Sequence, residues 1–194
     1  MSKLPQVKVM DLGLISYKEA WDLQQEILKE VIARKRSPDY HPDHQLSYLL
    51  ICQHPPVYTI GKSGKMDHLL LNEAELEDKG IEFFKINRGG DITHHGPGQL
   101  VVYPIFDLEL FFTDVHKYVR YLEESVIRTL ADYGVLGERI SGFTGVWLKG
   151  TDYLPERKIC AIGVHLSRWV SMHGLAFNIN NDLSLFNHII PCGI

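Results

Sequence analysis

Short apolar segments of strand length, separated by turn residues, recur along most of this sequence and constrain its fold more than any other feature. Apolar runs bounded by Gly, Pro, Asn or Asp are typical of β-strands. Strands are predicted at residues 7–12, 46–54, 57–60, 81–87, 100–108, 144–149, 158–167 and 169–180. A chain with so many strands must form a sheet, and the apolar side chains of that sheet must be covered.

Two long stretches have the residue spacing of amphipathic helices. The first begins after Ser16, a good helix cap, and runs to about Arg36, and the second begins near Thr113 and ends at Gly134. A short helix is predicted at residues 72–79. We expect both long helices to cover one face of the sheet. The predicted fold class is α+β, with a mixed, mostly antiparallel sheet and helices packed against it.

The length of 194 residues, with 45% apolar residues, suits one hydrophobic core and is short for two. We therefore expect a single domain over residues 1–194. The formal net charge of -4 gives no basic surplus to neutralise a phosphate backbone, so nucleic acid is not an expected partner. Arg34, Lys35 and Arg36 form a local basic cluster, which is either a docking patch for an acidic protein or a solvated helix end.

The amino terminus, MSKLPQVKVMDLG, has neither the apolar core of a signal peptide nor the Arg-rich pattern of a transit sequence. No run of about 18 apolar residues predicts a membrane span. Cys52, Cys160 and Cys192 form no CxxC pair, which suits a reducing compartment. We expect a cytoplasmic protein that has no membrane partner.

Residues 88–99, RGGDITHHGPGQ, lie between two predicted strands and hold four glycines in twelve positions. Glycines at this density allow backbone N–H groups to approach a ligand closely. Arg88, Thr93, His95 and Gln99 add side-chain donors. The alternative is a tight loop with turn glycines. The spacing matches neither the GxGxxG dinucleotide fingerprint nor the phosphate-binding P-loop.

Cys192 lies in the sequence IPCG, where the glycine leaves space beside the sulfur. A thiol with an ordinary pKa of about 8.5 is only slightly ionised at neutral pH, so a nucleophilic cysteine needs a nearby cation. Lys158, at the start of the strand KICAIGVHL, is a candidate for that cation. Lone cysteines are more often inert, and Cys52 and Cys160 fit that description because both lie inside apolar strands.

The ten histidines do not have the spacing of a metal site. His94 and His95 are adjacent and point apart in an extended chain, and no HExxH motif or Cys/His set is present. We expect no structural metal and no cofactor. His95 is predicted to form hydrogen bonds in a site, and the other histidines to pack or face solvent.

In the glycine-rich segment and in the segments around Lys158 and Cys192, the sequence closely resembles the octanoyltransferases of lipoate biosynthesis. RGGDITHHGPGQLVVYPI is similar to the signature of that family, and TGVW, KICAIGV, HGLAFNIN and NHIIPCGI resemble its later blocks. The resemblance implies the fold of biotin and lipoate protein ligases. The family usually continues past the PCG block, so we expect the domain to end early at its carboxyl end.

The resemblance implies a reaction that transfers octanoyl from the phosphopantetheine thioester of an acyl carrier protein to a lysine of a lipoyl domain. Such domains occur in 2-oxoacid dehydrogenases and in the H protein of glycine cleavage. Cys192 matches the cysteine that forms the acyl thioester, and Lys158 matches the lysine that lowers its pKa. The residues that match the acyl-holding segments are Arg88, Gly89, Gly90, Asp91, Ile92, Thr93, His94, His95, Ala161, Ile162, Gly163, Gly174, Leu175 and Ala176.

Three other functions remain open on the sequence. An ATP-dependent lipoate or biotin ligase has the same fold, but it activates a free carboxylate and needs no cysteine. A lipoyl-relay amidotransferase shares the cysteine. A non-catalytic acyl-binding protein retains the pocket alone.

Overall fold

The structure is a computed structural model, and it describes residues 5–42 and 45–191. Seven strands form one large sheet in the order β1-β2-β6-β10-β9-β8-β7. The strands are β1 (Gln6–Leu14), β2 (Leu46–Gln53), β6 (Gln99–Ile105), β7 (Gly137–Ile140), β8 (Phe143–Leu148), β9 (Arg157–Ser167) and β10 (Val170–Asn178). Within this sheet only β1 and β2 pair in parallel, which confirms the prediction of a mixed, mostly antiparallel sheet.

A second sheet of three strands has the order β4-β3-β5. Its strands are β3 (Val57–Ile60), β4 (Glu82–Lys85) and β5 (Ile92–His95). Strand β5 lies inside the glycine-rich segment for which the sequence predicted only a loop. Because glycines and Pro97 flank these four residues, the local pattern indicates a turn, and the pairing with β3 becomes visible only in the folded chain.

The two long helices, α1 (Tyr17–Lys35) and α3 (Val115–Asp132), cover opposite faces of the large sheet. Helix α1 packs on Val101 and Tyr103 of β6, whose odd-numbered side chains share one face. Helix α3 packs on the other face, against Val102 and against Leu175 of β10. The prediction that both helices cover one face is therefore wrong. An amphipathic pattern shows that a helix covers a face, and it does not say which one.

The helix caps follow the sequence prediction closely. The Ser16 side chain accepts a hydrogen bond from the Glu19 N–H at the start of α1. The short helix α2 (Glu73–Asp78) begins with a capping box formed by Asn72 and Glu75. No helix in the described part of the chain is long and apolar enough to cross a bilayer.

Two residues of the basic cluster at the end of α1, Arg34 and Lys35, contact acceptor groups within the fold. The Lys35 Nζ atom lies 2.7 Å from Asp107 and 2.8 Å from Glu109. Arg34 donates to the carbonyl oxygen of Leu46 and lies near Glu30. Because Asp107 and Glu109 neutralise Lys35, these contacts favour the helix-end alternative over a docking patch at residues 34–36.

Candidate active site

The glycine-rich loop at residues 88–91 is held against the loop that follows β3. The N–H groups of Gly61, Lys62 and Ser63 donate to the carbonyl oxygens of Asp91, Arg88 and Gly90, respectively. A Cβ atom at Gly61 would lie 2.4 Å from the Gly90 oxygen, so only glycine fits there. Gly90 itself has a φ of 82°, a conformation that favours glycine.

Arg88 is a buried arginine that joins this loop to the small sheet. Its Nη2 atom donates to the carbonyl oxygen of Thr59 at 2.7 Å and to the Thr59 hydroxyl at 3.1 Å. Its Nη1 atom donates to the carbonyl oxygen of Gly89 at 2.9 Å. A buried guanidinium must be paired with such acceptors, so these bonds fix the position of the loop.

The other side of the loop contacts strand β9. The Gly89 N–H donates to the Val164 carbonyl at 2.9 Å. A Cβ atom at Gly163 would lie 2.9 Å from the Gly89 oxygen and 3.1 Å from the Arg88 Cδ atom. The structure therefore brings two of the predicted segments, 88–90 and 161–163, into direct contact.

The predicted residues of β9 and β10 divide between the two faces of the large sheet. The two strands pair Ala161 with Ala176, Ile162 with Leu175 and Gly163 with Gly174. Ala176 lies in the core under α1, on the face of the loop. Ile162 and Leu175 lie in the core under α3. Ligand contacts from these last two residues would therefore have to come from their backbone atoms.

Strand β5 divides its residues in the same way. Ile92 and His94 face an apolar cluster with Tyr58 and Phe186. Burial lowers the pKa of His94 to about 4, so this histidine is neutral. Thr93 pairs with Thr59, and Thr59 faces Arg88. The adjacent histidines point apart, as the sequence predicted.

His95 lies in a buried network with Arg88. Its Nδ1–H donates to the Gln99 Oε1 atom at 2.8 Å, and its Nε2 atom lies 3.4 Å from the Thr59 hydroxyl, which accepts from Arg88. Burial holds the pKa of His95 well below its usual value, with a smaller contribution from His54. A neutral imidazole with one donor and one acceptor fits this network.

A cluster of aromatic and histidine rings completes this side of the site, and the sequence analysis missed it. Tyr17 stacks on His95 with 5.9 Å between ring centroids, and it also contacts His54. The His54 Nδ1–H donates to Ile15, and its Nε2 accepts from the Tyr103 hydroxyl at 2.8 Å. The sequence gives only a weak signal for this cluster, because its polar rings simply occur inside apolar segments or at their ends.

Burial keeps all of these rings uncharged. It raises the pKa of both tyrosine hydroxyls, Tyr17 and Tyr103, and lowers the pKa of His54. Arg88 is consequently the one residue of this network that carries a full charge, and Thr59 supplies two of its hydrogen-bond acceptors.

His68, which the sequence analysis also missed, links the loop at residues 88–91 to the segment at residues 188–191. The His68 Nδ1–H donates to the Asp91 carboxylate at 2.5 Å, and the other oxygen of Asp91 accepts from the Ile92 N–H. The His68 carbonyl accepts from the Ile190 N–H at 2.8 Å. Leu70 in turn donates to His188 at 2.9 Å. The segment at residues 188–191 is therefore held by hydrogen bonds against the glycine-rich loop at residues 88–91.

The three cysteines differ in their surroundings. Cys52 and Cys160 are free and fully buried. Burial raises the pKa of Cys52 to about 12 and also raises that of Cys160, which confirms the prediction that both are inert. Cys192, the predicted nucleophile, lies outside the described residues.

Lys158 lies at the start of β9, the strand that contacts the loop at Gly163. Its Nζ atom lies 4.7 Å from the ring centroid of Trp147 on β8. Its side-chain stem lies beside Gly145, which has a φ of 120°. The Glu123 carboxylate of α3 accepts from the Gly145 N–H, so helix α3 helps to hold the backbone next to Lys158.

Within residues 5–42 and 45–191, no three His, Cys, Asp or Glu side chains are grouped so that they could hold a metal ion.

Comparison with known proteins gives consistent results. The family model for the lipoyl protein ligase A/B catalytic domain matches residues 16–194. The chain is 54% identical over 192 residues to an octanoyltransferase of Cytophaga hutchinsonii, a match that covers 97% of this chain and 79% of that protein. It is 56% identical over 191 residues to an octanoyltransferase of Flavobacterium johnsoniae, covering 97% and 82% of the two chains.

Solved structures show the same fold at low sequence identity. A bi-partite lipoate protein ligase from Thermoplasma acidophilum superposes with a TM-score of 0.68 at 16% identity, covering 96% of this chain and 66% of that one. Lipoate-protein ligase A bound with ATP gives a TM-score of 0.64 at 16% identity, covering 95% and 70%. The structure thus has the fold of lipoate protein ligases, as predicted.

Proposed function

The chain belongs to the lipoyl protein ligase A/B catalytic domain family as an octanoyltransferase, and we propose that it transfers octanoyl through a thioester on Cys192. The donor is the phosphopantetheine thioester of an acyl carrier protein. The acceptor is the lysine of a lipoyl domain, in 2-oxoacid dehydrogenases or in the H protein of glycine cleavage. Unpaired, reduced cysteines suit a cytoplasmic setting for this reaction.

The assignment of the nucleophile rests on the burial of the other two thiols. Cys52 and Cys160 are held protonated inside the core, where neither a carrier nor a lipoyl domain has access. Cys192 follows a segment that hydrogen bonds fasten to the loop at residues 88–91 through His68. The burial of the other two thiols and the match of Cys192 to the family's cysteine together support the assignment of the nucleophile to Cys192.

In the first half of the reaction, the Cys192 thiolate attacks the carbonyl carbon of the carrier thioester. The tetrahedral intermediate collapses by breaking the bond to the carrier sulfur, and the Lys158 ammonium gives that sulfur its proton. The products are octanoyl-Cys192, the free carrier thiol and a neutral Lys158 amine. One thioester replaces another, so the step is close to balanced and needs no nucleotide.

In the second half, the neutral amine of the acceptor lysine attacks the octanoyl-Cys192 carbonyl. Lys158 takes the proton that this amine loses, and the Cys192 thiolate leaves. The amide forms and the original thiolate and ammonium pair is restored. Conversion of a thioester into an amide is downhill, which drives the overall reaction.

We assign to the loop at residues 88–91 the role of binding the carbonyl oxygen of the acyl group. Among the described residues, the N–H groups of Gly90 and Asp91 have no acceptor, whereas the Gly89 N–H is used by Val164. Backbone donors of this kind stabilise a tetrahedral oxyanion by about 3 kcal/mol each. The neutral rings of His95 and Tyr17 pack behind Thr59 and Arg88 and so help to hold this loop in place.

The test uses octanoyl carrier protein with and without a lipoyl domain, followed by intact-mass measurement of every protein. The octanoyl group should appear on this chain alone and should move to the lipoyl domain when that domain is added. Cys192→Ala should abolish both signals, because no other thiol is accessible. Cys52→Ala is the matched control, and it should still form and discharge the adduct. Transfer by purified Cys192→Ala at the wild-type rate would contradict the proposal.

A further inference from the structure

A cleft of about 560 Å³ opens beside the glycine-rich loop at residues 88–91, on the face of the large sheet that α1 covers. Its apolar lining comes from Trp21 and Leu28 of α1, Ile86, and Met172 of β10. Three lysines stand at the same cleft: Lys29 on α1, Lys62 after β3 and Lys85 on β4. We call this feature the lysine cleft.

The three lysines are brought together by tertiary structure, since they come from separate parts of the sequence. All three side chains are exposed, and none forms an ion pair with any residue of the described ranges. Lys35, by contrast, is neutralised by Asp107 and Glu109. On a chain with a formal net charge of -4, the lysine cleft is a local positive region.

The lysine cleft adjoins the loop at residues 88–91 directly. Asn87, the residue before Arg88, lines the cleft and accepts a hydrogen bond from the His173 Nε2–H at 2.8 Å. The Lys62 N–H donates to the Arg88 carbonyl at 3.0 Å. A partner held at the cleft is therefore held beside the acyl-binding segment.

The charge of Lys62 also affects a residue of the neighbouring strand β9. His165 of that strand has a lowered pKa, chiefly because it is partly buried and also because the Lys62 ammonium is close. Lys62 therefore lies near His165, on the strand that also carries Gly163.

We propose that the lysine cleft is the docking surface for the acyl donor, an acidic carrier protein whose phosphopantetheine arm delivers the octanoyl thioester. The inference rests on the proposed function, because it assumes a carrier-borne donor. The arm carries a negatively charged phosphodiester, and an acidic carrier adds carboxylates around it. Exposed lysines attract both groups, while the apolar floor suits the uncharged part of the arm.

The lysine cleft is expected to affect how fast and how tightly the carrier protein associates with this chain. Clustered charges raise association rates between oppositely charged proteins, and added salt weakens this effect. The chemical step at Cys192 and Lys158 does not involve these lysines. A small donor without a carrier or a phosphate should therefore be used equally well whether or not the lysines are present.

The experiment compares two donors, octanoyl carrier protein and octanoyl-pantetheine, in three forms of the protein. The first is wild type, and the second combines Lys29→Glu, Lys62→Glu and Lys85→Glu. The control combines Lys8→Glu, Lys79→Glu and Lys117→Glu, which changes the net charge equally at exposed positions outside the cleft. Circular dichroism checks that each variant is folded.

With the carrier donor, the cleft variant should lose at least about tenfold in kcat/KM, and its rate should depend less on salt than that of wild type. With octanoyl-pantetheine the cleft variant should match wild type, and the control variant should match wild type with both donors. The proposal is overturned by equal rates with the carrier donor, by an equal loss with both donors, or by a loss confined to the KM of the lipoyl domain. Failure of the wild-type protein to accept octanoyl from either donor would instead remove the proposed function.

Discussion

At the scale of single residues, burial decides which ionisable groups can take part in chemistry. The thiols of Cys52 and Cys160 and the rings of His54 and His95 all lose their charged forms inside the core. Arg88 keeps its charge because Thr59 and Gly89 supply oxygen acceptors. The remaining groups assigned to the chemistry are Cys192 and Lys158, and their partnership is a prediction.

Lys158→Ala is expected to raise the pKa of the Cys192 thiol, because the ammonium that stabilises the thiolate is lost. The rate of iodoacetamide alkylation, followed against pH, measures this pKa, and the buried Cys52 and Cys160 do not contribute to it. Lys158→Arg should keep the thiol pKa low and yet slow the transfer to the lipoyl domain, because a guanidinium does not accept the proton of the incoming amine. An unchanged alkylation profile in Lys158→Ala would contradict the pairing. The exposed Lys149→Ala is the control.

At the scale of elements, short contacts between segments that are distant in sequence hold the site together. The segment before Cys192 is bonded to residues 68–70, and His68 is bonded to Asp91 of the glycine-rich loop. Strand β8 is held near Lys158 by the Glu123 carboxylate of α3. Each of these links can be broken by one substitution, so its contribution can be measured.

Asp91→Ala is expected to slow the acylation of Cys192 several-fold, because His68 loses its acceptor and the segment at residues 188–191 loses its anchor. Asp91→Asn retains an oxygen acceptor for the His68 Nδ1–H and should recover most of the rate. Hydrogen exchange at the Ile190 N–H should accelerate in Asp91→Ala alone. Exposed Asp67→Ala, on the same short helix as His68, is the control. Equal rates in Asp91→Ala and wild type would rule out this anchor.

Glu123→Ala is expected to lower the free energy of unfolding by about 3 kcal/mol. The Glu123 carboxylate is fully buried and accepts hydrogen bonds from Arg120, Arg139 and the Gly145 N–H. Its removal leaves these donors without their partner. Urea unfolding measures the change, and Glu124→Ala, at a more exposed acid on the next position of α3, should have a much smaller effect.

At the scale of the whole molecule, two sheets and two helices enclose a core that contains several neutral histidines. Burial is the main cause of the low pKa of His54, His94, His95 and His173, and it lowers the pKa of His173 to about 3. In the unfolded chain these rings take up protons below a pH of about 6.5. Folded stability is therefore coupled to pH.

The free energy of unfolding is expected to fall as the pH drops from about 6.5 towards 4. In this range the unfolded chain binds protons that the buried rings do not, and each such ring costs up to about 1.4 kcal/mol per pH unit. His94→Phe, next to Tyr58 and Phe186, should reduce the slope of the unfolding free energy against pH by the contribution of one proton. Exposed His116→Gln is the matched control. Equilibrium denaturation at several pH values between 7.5 and 4.5 provides the measurement, and a flat stability profile would contradict the expectation.

The sequence by itself determined the type and approximate position of most elements. Alternating apolar residues predicted the strands, and Ser16 and Asn72 marked two helix starts, because these signals depend on residues only two to four positions apart. The apolar surroundings of Cys52 and Cys160 likewise predicted their burial. Family resemblance, carried by the loop and the later motifs, predicted the fold and the octanoyltransferase activity.

Only the tertiary structure decided how these elements meet. It placed α1 and α3 on opposite faces of the large sheet, inserted β5 into the glycine-rich segment, and neutralised Lys35 with Asp107. It also brought the loop of Arg88 against Gly163, and His68 against Asp91. Such contacts join residues that are far apart in the sequence. They depend on the order and register of the strands, and the period of a local pattern contains no information about which distant surface it will meet.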